Sequence, residues 1–302
     1  MFWQTSRFTI DLSRPQVMGI VNVTPDSFSD GGAHASTAQA LAYCEQLLAQ
    51  GADLLDIGGE SSRPGATPLP LEDELKRVLP VVREAVKLGV PISVDTYKPQ
   101  VMQAVLDLGA DIINDIWALR WPALSGGPTA QAVVSQHPSC GVCLMHMHRE
   151  PQTMQASPME GDVVSQVLLF LEHSAQDLRG LGVDKSRIVI DPGIGFGKTV
   201  VQNLSLLARQ RELLVAGYPL LAGWSRKSSL AAVIGGESKS SSAGGSHERL
   251  IPSVAAALLA VERGARIVRV HDVRETVQAL KVWMAASNAL ESSDPIQPGD
   301  KT

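Results

Sequence analysis

Cysteine is scarce. Three residues in 302, Cys44, Cys140 and Cys143, are too few and too odd in number for a disulfide framework. Cys140 and Cys143 form a C-x-x-C, but no second pair completes a metal or redox constellation, and Cys143 sits in an apolar, strand-like run. Both are therefore expected to be small buried hydrophobes. Long apolar runs are missing too: none approaches the roughly 18 to 20 residues of a membrane-crossing helix, and Met1 to Arg14 lacks the apolar core of a signal peptide. The expected location is the cytoplasm. No long Lys/Arg run appears, and 26 basic against 31 acidic residues give a net charge of −5, so neither nucleic acid nor a membrane surface is expected as a partner. An anionic substrate would have to be bound locally.

What is present is a repeating alternation. A 44% hydrophobic chain of this length can bury a large core, and one α/β barrel of roughly 250 residues would use most of it. Short apolar runs ending in polar residues or glycine predict strands at Val17–Asn22, Leu54–Gly58, Ile92–Asp95, Ile112–Asp115, Gly141–Met145, Ile188–Asp191, Leu220–Gly223 and Ile267–Val270. Between them lie helical stripes such as Leu41, Cys44 and Leu48, or Val101, Ala104, Val105 and Leu108. Pro80 falls inside one stripe and predicts a bend or restart. Gly51, Gly109 and Gly264 each follow a stripe and precede a strand, as helix C-caps do. Eight strand–helix units with strands apolar on both faces predict a single-domain (β/α)8 TIM barrel over residues 1–286, in preference to an open doubly wound sheet, and a disordered tail over 287–302. Three long Gly-, Pro- or Ser-rich segments, Thr24–Ser36, Ser61–Glu72 and Gly235–His247, would share the barrel's carboxyl end, where barrel enzymes hold their chemistry.

The strand ends carry the informative residues: Asn22, Asp56, Asp95, Asn114 with Asp115, Asp191, Ser225-Arg226-Lys227, and Arg269 with His271. Such groups are costly to bury alone, so they should converge on one mouth. Asp191 could accept two parallel hydrogen bonds from a planar heterocycle's N–H edge, Asn114 could read a neighbouring edge, and Lys227 could donate to a ring carbonyl. Arg63, Arg269 and His271 at the rim would suit a diphosphate.

The motifs resemble those of the dihydropteroate synthase family. They run in that family's order: Val21-Asn22-Val23-Thr24-Pro25-Asp26-Ser27-Phe28, Asp56-Ile57-Gly58-Gly59-Glu60-Ser61-Ser62-Arg63-Pro64-Gly65, Ser93-Val94-Asp95-Thr96, Asn114-Asp115-Ile116, Leu144-Met145-His146-Met147, Asp191-Pro192-Gly193-Ile194-Gly195-Phe196-Gly197-Lys198, Ser225-Arg226-Lys227-Ser228 and Arg269-Val270-His271-Asp272-Val273. The resemblance implies a transferase that joins 6-hydroxymethyl-7,8-dihydropterin diphosphate to p-aminobenzoate. It implies an SN1-like displacement in which Asp95, Arg63, Lys227, Arg269 and His271 are catalytic. Asp95, Asn114, Met145, Asp191 and Lys227 would hold the pterin, and Asn22, Arg63, Arg269 and His271 the diphosphate, with Asn22 also meeting a Mg²⁺. Ser62, Pro64, Phe196 and Ser225 would border the p-aminobenzoate pocket. A homodimer through the later barrel helices is implied as well.

Three positions depart from the family pattern: Ser62 stands where many members have Thr, His148-Arg149-Glu150 replaces a small polar stretch, and Trp117 follows Asn-Asp-Ile. These bear on fine substrate or sulfonamide affinity, not on reaction class. A corrinoid-linked pterin methyltransferase and a non-catalytic pterin-binding paralogue are the alternatives, and the Ser-Arg-Lys and Arg-Val-His motifs weigh against the first. Other residues have plainer readings. Asp56 and Asp115 are expected to accept from loop amides, Lys198 to be structural, and His146 and His148 to be core or rim residues. The Gly193–Lys198 segment lacks the spacing of a nucleotide-binding phosphate loop.

Overall fold

Eight apolar runs become eight parallel strands because each is buried on both faces: β3 Gln16–Asn22, β4 Leu54–Gly58, β5 Ile92–Asp95, β6 Ile112–Asp115, β7 Gly141–Met145, β8 Ile188–Asp191, β9 Leu220–Ala222 and β10 Ala265–Val270. They close in the order β10-β3-β4-β5-β6-β7-β8-β9. Helices α1 Gly32–Ala49, α2 Leu71–Ala85, α3 Pro99–Asp107, α4 Ala130–Gln136, α5 Val163–Gly180, α6 Val200–Ala208, α7 Ser228–Val233, α8 Leu250–Glu262 and α9 Val273–Glu291 are interleaved with them, which makes a (β/α)8 TIM barrel. This computed structural model describes residues 1–24, 32–61, 65–123, 126–235 and 248–291. Residues 25–31, 62–64 and 236–247 of the three expected long loops fall outside those ranges.

The amino end of the barrel is plugged. A short antiparallel hairpin, β1 Phe2–Gln4 and β2 Thr9–Asp11, lies beneath it. Trp3, Ile10 and Leu12 pack against Met18, Leu54, Ile112, Cys143, Val189, Leu221 and Ile267, an apolar layer across the bottom of the barrel. The Trp3 indole donates to the Arg187 carbonyl at 2.9 Å, so its one polar atom is satisfied although the side chain is fully buried. With that end sealed, the polar strand ends face the other opening.

Local chemistry sets the helix boundaries. Thr199 and Gln202 form a reciprocal capping box at the start of α6. Gly51, Gly109 and Gly264 take positive φ of 100°, 96° and 96° immediately after helices, a backbone geometry that side chains disfavour. Two expectations need correction. Helix α2 does not restart at Pro80 but runs on to Ala85, and the missing hydrogen bond is tolerated by a helix whose Val78, Val81, Val82 and Ala85 are all buried. The closing helix α9 extends to Glu291, beyond the boundary expected at 286, because Ala285, Ala286, Ala289 and Leu290 are strong helix formers; residues 292–302 lie outside the described ranges. None of the described helices is long and apolar enough to cross a membrane.

Candidate active site

The carboxyl ends of the strands bring acids, amides and cations into one network. Asp56, fully buried at the middle of β4, accepts from Ser93 Oγ on β5 at 2.6 Å, from Asn114 Nδ2 on β6 at 3.1 Å and from Arg269 Nε on β10 at 2.6 Å. Arg269 also donates from Nη2 to Asp95 at 2.8 Å. One guanidinium therefore ties three strand ends together, and Asn114 keeps its amide oxygen available for another partner. Asp115 behaves differently. Its two oxygens accept the Trp117 and Leu119 backbone amides at 2.8 and 2.7 Å and fold the β6 loop, in which Ala118 and Leu119 take positive φ.

On the opposite side, Asp191 ends β8 in register with Met145 of β7. Its Oδ1 accepts the Gly193 amide at 2.7 Å, and Oδ2 lies on the Gly223 side, where a Cβ would meet it at an ordinary contact distance of 3.9 Å. Gly193 is required where it stands, because its φ is +66° and a Cβ would lie 1.8 Å from the His146 carbonyl oxygen. The following turn holds Phe196 beneath Lys227, whose Nζ is 4.4 Å from the ring centroid. Lys198 closes that turn from behind, donating to the carbonyls of Gly193 at 2.8 Å and Phe196 at 3.1 Å.

The Ser225-Arg226-Lys227 turn is fastened to the end of β10. Ser225 Oγ and His271 Nδ1 share a hydrogen bond of 3.0 Å, and the His271 amide donates to the same hydroxyl at 3.1 Å. Arg226, at φ +58°, forks onto Asp272 at 2.6 and 3.1 Å. A non-glycine residue in the left-handed region costs free energy, and the two-pronged ion pair offsets it. Asp191 and Lys227 thereby face one another's fields, and Arg269 acts on the same carboxylate.

Burial governs the electrostatics. It pushes Asp95 above the usual carboxylate range against the pull of Arg269, while nearby Asp56 adds to the upward shift. Burial likewise raises Asp191, opposed by the Gly193 amide and Lys227. Burial pulls against the Arg269 cation, but Asp56 and Asp95 together outweigh it and hold the guanidinium firmly protonated. Burial pushes Asp115 up to about 7, and it pulls Lys198 down to about 7 and His146 down to about 2. His146 stacks edge-on against Phe170 at 4.9 Å as a core residue.

Apolar surface completes the mouth. Met145 and Phe196 belong to a buried cluster with Tyr97, Ile116, Met147 and Met154, onto which Trp117 and Trp121 pack. A cavity of about 430 Å³ opens beside the polar network; it reaches Asp95 and is walled by Glu60, Glu74, Tyr97, Trp117 and Trp121.

Of the expected site residues, Asp95, Asn114, Met145, Asp191, Lys227, Phe196, Ser225, Arg269 and His271 meet at this one opening, with Asn22 at the end of β3 on the same rim. Ser62, Arg63 and Pro64 lie outside the described residues. Asp56 departs from expectation: it accepts from side chains of three strands, not from loop amides, because in register with Ser93 it points into the barrel. A second group gives no local signal in the sequence. Lys98 bridges Glu60 and Glu74 behind the mouth, and only proximity in the fold reveals it. Cys140 and Cys143 are buried free thiols, and among the described residues no group of three or more His, Cys, Asp or Glu could hold a metal.

A family model described as pterin binding enzyme matches residues 18–271. The dihydropteroate synthase of Neisseria meningitidis serogroup B is 47% identical over 288 residues, covering 94% of this chain and 96% of that protein. Among solved structures, the dihydropteroate synthase of Burkholderia cenocepacia complexed with 7,8-dihydropteroate superposes with a TM-score of 0.84 at 50% identity, covering 96% of this chain and 98% of that one. The Xanthomonas albilineans enzyme with 4-aminobenzoic acid gives 0.82 at 46% identity, covering 95% and 96%. With its barrel closed, its motifs in order and both chains matched almost end to end, this chain belongs to the dihydropteroate synthase family of pterin binding enzymes.

Proposed function

We propose that the chain condenses 6-hydroxymethyl-7,8-dihydropterin diphosphate with p-aminobenzoate, giving 7,8-dihydropteroate and diphosphate, in the cytoplasm. The observation that carries the reading is the convergence of Asp95, Asn114, Asp191 and Lys227 with Arg269 and His271 at one opening of a barrel plugged at the other end. Asp191 presents a carboxylate oxygen to the amino and ring N–H groups of a pterin, Asn114 and Lys227 read its other edge, and Met145 lies along its face. Arg269 and His271 face the diphosphate, and Arg63 is proposed as a third cation for it on the family resemblance.

Departure of the diphosphate leaves positive charge on the pterin methylene and ring, and a buried carboxylate at Asp95 stabilises it there. Arg269 gives this an internal logic. A pterin that engages Asp95 takes over the carboxylate on which Nη2 rests, and that end of the guanidinium then turns to the leaving group while Nε stays on Asp56. No side-chain nucleophile is needed, since the arylamine itself attacks; Ser225 is accordingly bonded to His271 as a positioning hydroxyl.

Asn22 offers a single neutral amide oxygen, with no carboxylate cage around it among the described residues. That donor suits a Mg²⁺ carried in by phosphate oxygens, which keeps most of its waters. When bound, the ion would neutralise charge developing on the leaving diphosphate. Ser62, Pro64, Phe196 and Ser225 are the residues proposed to border p-aminobenzoate. A homodimer is proposed through α8 and α9, which pack together and leave Ile251 77% and Val282 73% exposed.

The test is turnover with both substrates together with calorimetry on Asp191→Ala. The wild-type chain is expected to release diphosphate only when p-aminobenzoate is present, and the variant to lose pterin binding while keeping its circular dichroism. A folded variant that binds pterin diphosphate as before refutes the assignment, and pterin binding without turnover in the wild type points instead to a non-catalytic binding protein.

A further inference from the structure

Behind the mouth lies a buried ion triad that the reaction does not use. Lys98 Nζ pairs with Glu60 Oε2 and, at 2.5 Å, with Glu74 Oε2. Glu60 also accepts from Tyr97 Oη at 2.8 Å, and Glu74 from Thr96 Oγ1 at 2.7 Å. The Lys98 ammonium sits 4.5 Å above the Tyr97 ring, and its side chain is only 11% exposed.

Sequence position gives the triad its meaning. Asp95, Thr96, Tyr97 and Lys98 are consecutive: the first meets Arg269 in the mouth and the other three bind Glu60 or Glu74. Glu60 immediately precedes the 61–72 segment, which Ser61 begins. Gly59 just before them is clamped to α2, where its carbonyl accepts from Arg77 at 3.0 Å and any Cβ would lie 2.6 Å from Val78. The far side of the segment is held separately, with the Gly65 amide on the Pro151 carbonyl at 3.2 Å and Gln152 on the Ala66 carbonyl at 3.4 Å. One rigid stretch thus carries the pterin-facing carboxylate at one end and the anchor of a second loop at the other.

Stability does not account for this arrangement. Buried ion pairs are weak contributors to folding, and apolar residues of like volume commonly replace them at no loss. What an apolar replacement could not supply is direction: two donors from one turn fix the Glu60 carboxylate in space. We propose that Lys98 and Glu60 are positioning residues for the second substrate, holding the start of the 61–72 segment at a set distance from Asp95. The inference rests on the proposed condensation, in which Ser62 and Pro64 border p-aminobenzoate.

Glu60→Ala tests it, because the Lys98–Glu74 pair stays matched and the interior keeps no uncompensated charge. In the full-length chain, KM for p-aminobenzoate should rise about tenfold or more and kcat should fall, while the affinity for a pterin lacking diphosphate stays within about twofold. Glu60→Gln, which still accepts from Lys98, should recover most of the loss. Hydrogen exchange in peptides covering 58–70 should quicken in the alanine variant only. Unchanged exchange, or KM within about twofold of wild type, overturns the proposal, and so does a matching loss of pterin affinity, which would place Glu60's effect in the mouth itself. If the wild-type chain proves inactive, the functional reading fails, and the exchange comparison still decides whether Glu60 anchors the segment.

Discussion

Asp56 is the sharpest test of how the mouth is built, since it touches no proposed substrate group and yet receives three donors. Asp56→Asn keeps the volume and removes the charge. The Ser93 hydroxyl can turn to accept from the new amide, so little is lost on that side. On the other side a single neutral oxygen must serve both Arg269 Nε and Asn114 Nδ2. A charge-assisted bond of about 1.5 to 3 kcal/mol becomes a neutral one of about 1 kcal/mol, and Arg269 is left with Asp95 as its remaining bonded carboxylate. We expect a stability loss of about 2 kcal/mol, below the roughly 3 to 5 kcal/mol for breaking a buried pair outright, because Asp95 still balances the cation. Function should suffer in parallel. A guanidinium drawn wholly onto Asp95 competes with the pterin for it, so affinity for pterin diphosphate should fall by about 1.4 to 2.8 kcal/mol, or ten- to a hundredfold. Calorimetric titration and denaturant melts measure the two quantities, with Ser93→Ala as the control that removes one hydrogen bond and leaves the cation's partners intact. Binding within about threefold of wild type in Asp56→Asn would refute the claim that Arg269 is shared between the two carboxylates.

Two further outcomes follow from the same geometry. His146 is buried, and its folded pKa of about 2 lies below the ordinary 6.5, so the unfolded chain takes up its proton first and the stability this neutral imidazole contributes above pH 6.5 is lost as pH falls toward 2, at about 1.4 kcal/mol per pH unit. His146→Leu should flatten that limb in melts taken between pH 7 and 4, and curves parallel to wild type would exclude the cause. For the proposed dimer, Ile251→Asp with Val282→Asp should convert the light-scattering mass to that of one chain of 32.2 kDa, whereas an unchanged dimer would mean that another surface pairs.

The barrel was legible in the sequence because parallel strands covered on both faces read as continuous apolar runs, and all eight lie within two residues of where those runs predict. The β1–β2 hairpin was not, since strands of three residues give periodicity nothing to count, and Trp3 shows its value only against the layer from Met18 to Ile267. Strand ends gave the polar mouth for a related reason: the last residues of Ile92–Asp95, Ile112–Asp115 and Ile188–Asp191 are where apolar composition stops. Side-chain direction within a strand is harder to read. Asp56 and Asp115 look alike in sequence, yet one faces the interior to bind three side chains and the other turns to loop amides. The Lys98 triad draws on positions 60, 74 and 98, which no local spacing connects.

The buried charge in the mouth explains why one arginine appears at the centre of both fold and reaction. Burial and the neighbouring Asp56 both work against charge on the Asp95 carboxylate, and a cation beside it is needed to oppose them. Arg269 supplies that cation from β10, and its planar fork lets Nε and Nη2 serve different carboxylates. A lysine could also bridge two carboxylates, as Lys98 does for Glu60 and Glu74, but its donors sit on one atom, whereas the separate nitrogens of the guanidinium let one stay on Asp56 while another meets a new partner. Substrate binding at Asp95 is then an exchange of partners in place of a fresh desolvation, because the pterin's N–H groups replace Nη2 and the released end gains phosphate oxygens. The cost of moving a buried cation, which would otherwise be several kcal/mol, stays small as long as Asp56 holds the other end.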